Sequence, residues 1–180
     1  MAVSHNVYIR GINAIYLQSE GVKTLEDKKN FLQYCRFWVE SVTHHHDAEE
    51  EHFFPALDKL PGMEGLMDIN IEQHKAFHPG LEKLDKYVSE TKPEDYDGKV
   101  LKEIVNSFAD KLVAHLHAEI ETLISSQKHD PDGEEVKKLY LVLEKAIIAK
   151  SGLVRYTAEI CREKVLLAVN EYFFVHTRII

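Results

Sequence analysis

Seven residues of this 180-residue chain are metal-ligand types at spacings that could bring them together: His5, His45, Glu49, His74, His78, His115 and Glu119. Three intervals are four residues long, from His45 to Glu49, His74 to His78 and His115 to Glu119. Residues four apart on a helix project from one face, one turn above the other. Three helices would then each present a stacked pair of ligands, and a fourth would add His5. Five imidazoles and two carboxylates exceed what one ion takes; they suit two ions bridged by the carboxylates. Imidazole-rich ligation suits Fe, Zn, Cu or Ni and disfavours Mg or Ca. With both ions octahedral and a shared oxide or hydroxide between them, one position is left for a small molecule.

The elements that must position these residues read as helices. The first spans about 3–19, with His5, Ile9, Ile12 and Tyr16 in one stripe. The second, 25–54, starts at Thr24, an N-cap type with Asp27 three residues on. The third, 64–89, carries the stripe Met67, Ile71, His74, His78, Leu81, Leu84 and Val88, and its Pro79-Gly80 predicts a distortion just after His78. The fourth, 99–127, carries Leu101, Ile104, Phe108, Leu112, His115, Glu119 and Leu123. Loops rich in Pro, Gly and Asp separate them, and no strand-type alternation occurs.

The fold class expected is all-α: an up-down-up-down four-helix bundle over 1–128. An extension over 129–180 adds one or two C-terminal helices, about 134–150 and 153–177. That apolar extension would pack on the bundle or on a partner, and offers a surface for a homo-oligomer.

The His and Glu residues occupy places in the apolar seams where Leu or Ile is expected. A buried, unpaired carboxylate costs several kcal/mol even after relaxation, so two of them among imidazoles call for cations between them. In the second helix two registers compete. Phe31, Tyr34, Trp38, His45 and Glu49 form one stripe; Cys35, Val39, Val42, His46, Glu50 and Phe53 form another. Of the other histidines, His117 should be solvated, His44, His129 and His176 should lie at the surface, and His52 falls one turn beyond Glu49.

Composition narrows the function classes. The net charge is -8, without a dense Lys/Arg block. This argues against nucleic acid and against an anionic membrane surface as partners. No apolar run is long enough for a membrane span, and the first residues do not read as a secretory signal. Cys35 and Cys161 form no CxxC pair and read as reduced core thiols of a cytoplasmic protein.

The segment from His45 to Pro55, HHDAEEEHFFP, resembles the hemerythrin family in its HHE-domain branch, whose pattern is HHxxEExxLFP with the first His and first Glu as ligands. His74 to His78 resembles the family's HxxxH helix, His115 to Glu119 its final HLxxE element, and His5-Asn6 its single-histidine start. The resemblance covers about 3–126. It implies a hemerythrin-like bundle with two iron ions under an oxo or hydroxo bridge, mixed Fe/Zn or Fe/Mn being the alternatives. It further implies that His74, His78 and His115 hold one iron, that His5 and His45 hold the other, and that Glu49 and Glu119 bridge them. O2 would bind at the His5–His45 iron, shielded by Ile9, Trp38 and Leu112. One departure stands out. Oxygen-carrying members usually have Asp five residues after the last His, whereas Glu119 follows His115 by four.

Two functional classes follow. One is a non-heme diiron protein that binds O2 or NO for sensing, storage or redox use. The other is a diiron oxidase or oxygenase, an O2-dependent oxidoreductase acting on a small organic substrate. The histidine-rich ligand set leans toward binding; the Glu119 spacing and the apolar extension lean toward an enzyme.

Overall fold

Thr24 shows why the second helix begins where it does. Its hydroxyl accepts the backbone N–H of Asp27 at 3.1 Å and donates to the Asp27 carboxylate at 2.6 Å, satisfying a donor that the first helical turn leaves free. A computed structural model describes residues 1–150. The helices are α1 (Ala2–Gln18), α2 (Leu25–Ala48), α3 (Phe54–Leu57), α4 (Asp68–Glu90), α5 (Gly98–Asn106), α6 (Ala109–Ser125) and α7 (Glu134–Lys150). A π-helical turn, Glu49–Phe53, joins α2 to α3. No strand occurs among the described residues. The expected helix over 153–177, with Cys161 and His176, lies outside them.

The helices close into a bundle. α1 packs on α2, α2 on α4, α4 on α5 and α6, and both of these return to α1. Two apolar bodies fill it. One gathers Ile12, Ile15, Val42, Phe77, Leu84, Leu101, Phe108 and Leu112. The other gathers Ala48, Phe53, Phe54, Leu57, Met63, Met67 and Leu143, the last brought in by α7. α2, α4 and α6 each run from one body to the other, and their buried histidines fall at the crossing: His45 between Val42 and Ala48, His74 between Met67 and Phe77, His115 between Leu112 and the partly buried Leu123.

Three local features differ from the sequence reading. The fourth helix is two helices: Phe108 departs from helical geometry at φ −139°, and Ser107 turns its hydroxyl to the Ile104 carbonyl at 2.7 Å. The break seats the buried Phe108 against Gly80 of α4, where a Cβ would overlap the Phe108 ring. α4 itself continues through Pro79. The second helix passes into the π turn, and Pro55 then falls in the first turn of α3, where a missing N–H is harmless.

Gly11 sets the spacing of α1 and α2. A Cβ there would overlap the Trp38 indole, whose Nε1–H donates to the Tyr8 carbonyl at 3.1 Å. The ring cannot yield without losing that bond. Gly11→Ala would add about 1 kcal/mol of helix propensity, but overpacking of this kind costs roughly 1–3 kcal/mol and breaks the indole bond besides. Net destabilisation of the metal-free protein is expected in urea unfolding.

Candidate metal centre

Six of the seven singled-out residues meet in the interior. His5, His45, Glu49, His74, His115 and Glu119 are each at most 3% exposed. The seventh, His78, does not join them. It lies on the outer face of α4, about half exposed, with its Nδ1 3.4 Å from Glu82. The cause is angular. At about 100° per residue, Phe77, Leu81, Leu84 and Val88 centre the buried stripe roughly 50° to one side of His74, and His78 falls about 40° to the other side. The buried partner of His74 on this helix is therefore Phe77.

His46 occupies the interior as well. Its ring packs edge-on against His74 at 4.6 Å between centroids and against Phe77 at 4.9 Å, and lies 5.1 Å from His115. The two registers of α2 are thus both inward for their histidines. They differ in their acids, because Glu49 is fully buried and Glu50 is half exposed.

The donor atoms form two groups, each within 4.8 Å: His46, Glu49, His74 and His115 in one, and His5, His45, Glu49 and Glu119 in the other. Glu49 belongs to both. Its Oε1 lies 2.9 Å from His45 Nε2, and its Oε2 lies 3.8 Å from His74 Nε2. Glu119 also spans the divide, with Oε2 3.2 Å from His5 Nε2 and 3.9 Å from His115 Nε2.

Hydrogen bonds on the outer side of the rings fix what faces inward. His5 Nδ1–H donates to the Leu116 carbonyl at 2.7 Å, His46 Nδ1–H to the Val42 carbonyl at 2.8 Å, His74 Nδ1–H to the Glu50 carboxylate at 2.6 Å, and His115 Nδ1–H to Gln73 Oε1 at 3.2 Å. Those acceptors assign the tautomer: a neutral imidazole that donates from Nδ1 presents a bare lone pair at Nε2. The lone pairs of His74 and His115 then converge, and the lone pair of His5 faces Nε2 of His45. His74 and His115 oppose Nε2 to Nε2 at 3.1 Å, and His5 and His45 do so at 3.2 Å. The buried Nε2 of His46 and all four carboxylate oxygens of Glu49 and Glu119 lack hydrogen-bond partners.

Lone pairs converging without donors repel one another, and a cation between them reverses the sign. Two nitrogens bound at right angles about 2.1 Å from one ion stand about 3.0 Å apart, close to the spacings here. The donor set therefore fits metal ions. The outer carboxylate on His74 and the carbonyls on His5 and His46 are the partners that metal-ligating imidazoles ordinarily have.

Burial holds four of these imidazoles neutral. It lowers His45 and His115 to about 3, His46 well below its usual value, and His74 in the same direction. Burial, reinforced by Glu119, pushes Glu49 far up. For the metal-free protein the signs oppose. An unfolded histidine takes up a proton below about 6.5 while these four refuse it, so their contribution falls on acidification through that value. Glu49 acts the other way above 4.5, where the unfolded carboxylate gives up its proton first. Between 4.5 and 6.5 four histidines oppose one glutamate. The melting temperature of the chelator-treated protein is expected to drop from pH 7 to pH 5, read by circular dichroism.

The remaining histidines are peripheral. His117 and His129 are exposed, His44 is half-buried, and His52 stands 40% exposed with Nε2 3.6 Å from Glu51 rather than against the cluster.

A helical bundle enclosing five imidazoles and two carboxylates as two linked groups defines a cation-binding helical protein. The chain belongs to the hemerythrin HHE cation-binding domain family, whose model matches residues 1–125. It is 36% identical over 143 residues to the dimeric xanthone biosynthesis cluster protein R11 of Cryptosporiopsis sp. (strain 8999), a match covering 79% of this chain. The chain spans about half the length of that relative, 54%. No solved structure matches it significantly. Among the described residues no helix is long and apolar enough to cross a membrane.

Proposed function

We propose that the protein is a non-heme diiron protein that binds O2 or NO for sensing, storage or redox use. His46, His74 and His115 would hold one ion and His5 and His45 the other, with Glu49 and Glu119 shared. The observation that carries this reading is the pair of opposed Nε2 contacts, at 3.1 and 3.2 Å, with Glu49 reaching both. Iron is the first choice because imidazole-rich sites with shared carboxylates suit it and because the family resemblance implies it; mixed Fe/Zn or Fe/Mn filling is the alternative. Two bound irons would supply two electrons to a diatomic ligand.

The protein's own share is positional. Five imidazoles supply the nitrogen donors, the outer hydrogen bonds on His5, His46, His74 and His115 lock ring orientation, and Leu112, Trp38 and Phe77 keep bulk water away. Cys35, a buried free thiol held protonated by its burial, fits a cytoplasmic setting.

A second reading, a diiron oxidase or oxygenase acting on a small organic molecule, draws support from the biosynthesis-cluster name of the relative. One experiment separates the two. Elemental analysis should find close to two metals per chain. The reduced iron form, mixed with air, should give a coloured adduct that reverses under argon if the task is binding. Rapid irreversible oxidation, or O2 consumption that rises with an added phenol, favours the enzyme. Metal-free protein after iron loading under reducing conditions refutes both.

A further inference from the structure

The buried imidazoles differ in what they touch on the side away from the centre. His5 donates to the Leu116 carbonyl, His46 to the Val42 carbonyl and His115 to the Gln73 side-chain oxygen, all neutral acceptors. Of these four rings only His74 donates to a carboxylate, that of Glu50, and its 2.6 Å bond is the shortest of the four. The start of the π turn sets this up: Glu49 is buried between the donor groups, while the next residue, Glu50, is 46% exposed and reaches the outer nitrogen of His74. No lysine or arginine among the described residues pairs with Glu50. Lys75, which lines the same cleft between α2 and α4, is held by Glu72 at 2.6 Å. Asp47 also lines that cleft, is exposed, and bonds none of the rings.

Resting on the diiron reading above, we infer that Glu50 is a positioning residue that makes the two ions unequal: acting through His74, it favours the higher charge on the ion of His46, His74 and His115, so that this ion gives up an electron first and the ion of His5 and His45 stays ferrous. The physical chain is short. A carboxylate at 2.6 Å forms a charge-assisted bond and draws the Nδ1 proton toward itself. The ring becomes richer in electrons at Nε2 and a stronger donor to a metal. A trivalent ion gains more from that donor than a divalent one. Glu49 and Glu119 do not cancel the difference, because each approaches a histidine of both groups. Three imidazoles against two push the same way. The electron passes to the oxidant, Fe(II) becomes Fe(III), and the proton stays on His74 Nδ1, so no bond forms or breaks. The ligand count leaves the open position at the His5–His45 end, which is therefore the ferrous end of a half-oxidised protein. In a mixed Fe/Zn filling the same bias puts iron at the His74 end and zinc at the other.

The test titrates the reduced, iron-loaded full chain with ferricyanide, which takes one electron from an iron and becomes ferrocyanide. Proton NMR of the half-oxidised, unaltered chain should show three imidazoles shifted by a ferric ion and two by a ferrous one. Two ferric and three ferrous overturns the inference, and this count needs no variant to fold. Glu50→Gln keeps the shape and can still accept the His74 bond, so it removes the charge alone. It should disfavour the first oxidation by about tenfold, which for one electron raises that potential by about 59 mV, and move the second step far less. Asp47→Asn, which removes a neighbouring charge that bonds no ring, should move neither. No shift in Glu50→Gln, equal shifts of both steps, or a shift as large in Asp47→Asn overturns the inference. A chain that takes up no iron refutes the diiron reading itself; a chain that binds two irons and oxidises them without distinction keeps that reading and refutes only the inequality.

Discussion

Glu49→Gln is expected to move the metal-free and metal-loaded proteins in opposite directions. Glu49 belongs to both donor groups, with oxygens 2.9 Å from His45 and 3.8 Å from His74. Without metal its carboxylate is a burden: it is fully buried, lacks hydrogen-bond partners, and is pushed far up in pKa by burial and by Glu119. An amide of the same shape removes that penalty. Replacing a buried ionisable group in this way is often neutral or stabilising, by about 1 kcal/mol or more, so the chelated variant should melt at or above the parent. With metal the sign reverses. A ligand at a hundredfold its Kd stabilises by about 2.7 kcal/mol per site, and the variant weakens both sites at once. For a chain of this size each kcal/mol moves the Tm by roughly 2–4 °C, so the loaded variant should melt on the order of 10–20 °C below the loaded parent. Calorimetry on four samples, parent and variant with and without metal, checks this. A variant that loses stability equally in both forms would show that Glu49 serves packing alone.

His46→Ala and His78→Ala should separate cleanly by metal content. The lone pair of His46 is orphaned among His74, His115 and Phe77, whereas His78 is about half exposed and lies near Glu82. His46→Ala removes one of three imidazoles from one donor group and leaves His5, His45, Glu49 and Glu119 intact. Its metal content should fall from two to one per chain. His78→Ala should keep both metals and melt within about 0.5 kcal/mol of the parent, as exposed substitutions do. The reverse pattern would restore the HxxxH pair as a ligand pair and dismiss His46.

The helical class and the pairs His45–Glu49 and His115–Glu119 were legible because ligand types sat in apolar stripes at helical spacing. The same rule misplaced His78. A spacing of four establishes that two side chains share a face, but not that the face is centred on the core. His74 lies near the edge of its stripe, so a step in one direction reaches Phe77 and the interior, and a step in the other reaches water. The competing α2 registers could not be resolved as alternatives because both histidines are inward. Nothing in Glu49–Phe53 announces a π turn, since it holds neither Gly nor Pro. The break at Phe108 is similarly silent locally. Its cause lies on α4, where Gly80 leaves room for the ring, and a contact between distant segments has no signature in either segment alone.

The π turn has a further consequence. Its wider coil absorbs one residue more than an α turn would, so Phe53 and Leu57, beneath α7, stay on the side of the helix that carries His45 and Glu49. Excising a single residue, Glu51, would return the coil to a regular α-helix with the downstream phase unchanged, so the aromatic floor under α7 and the ligands upstream of the cut would both stay in place. The wide turn thus holds the metal-facing surface and the terminal apolar pack in one angular register, and a length change elsewhere in α2 that no such turn absorbs would swing one off the other by about 100°.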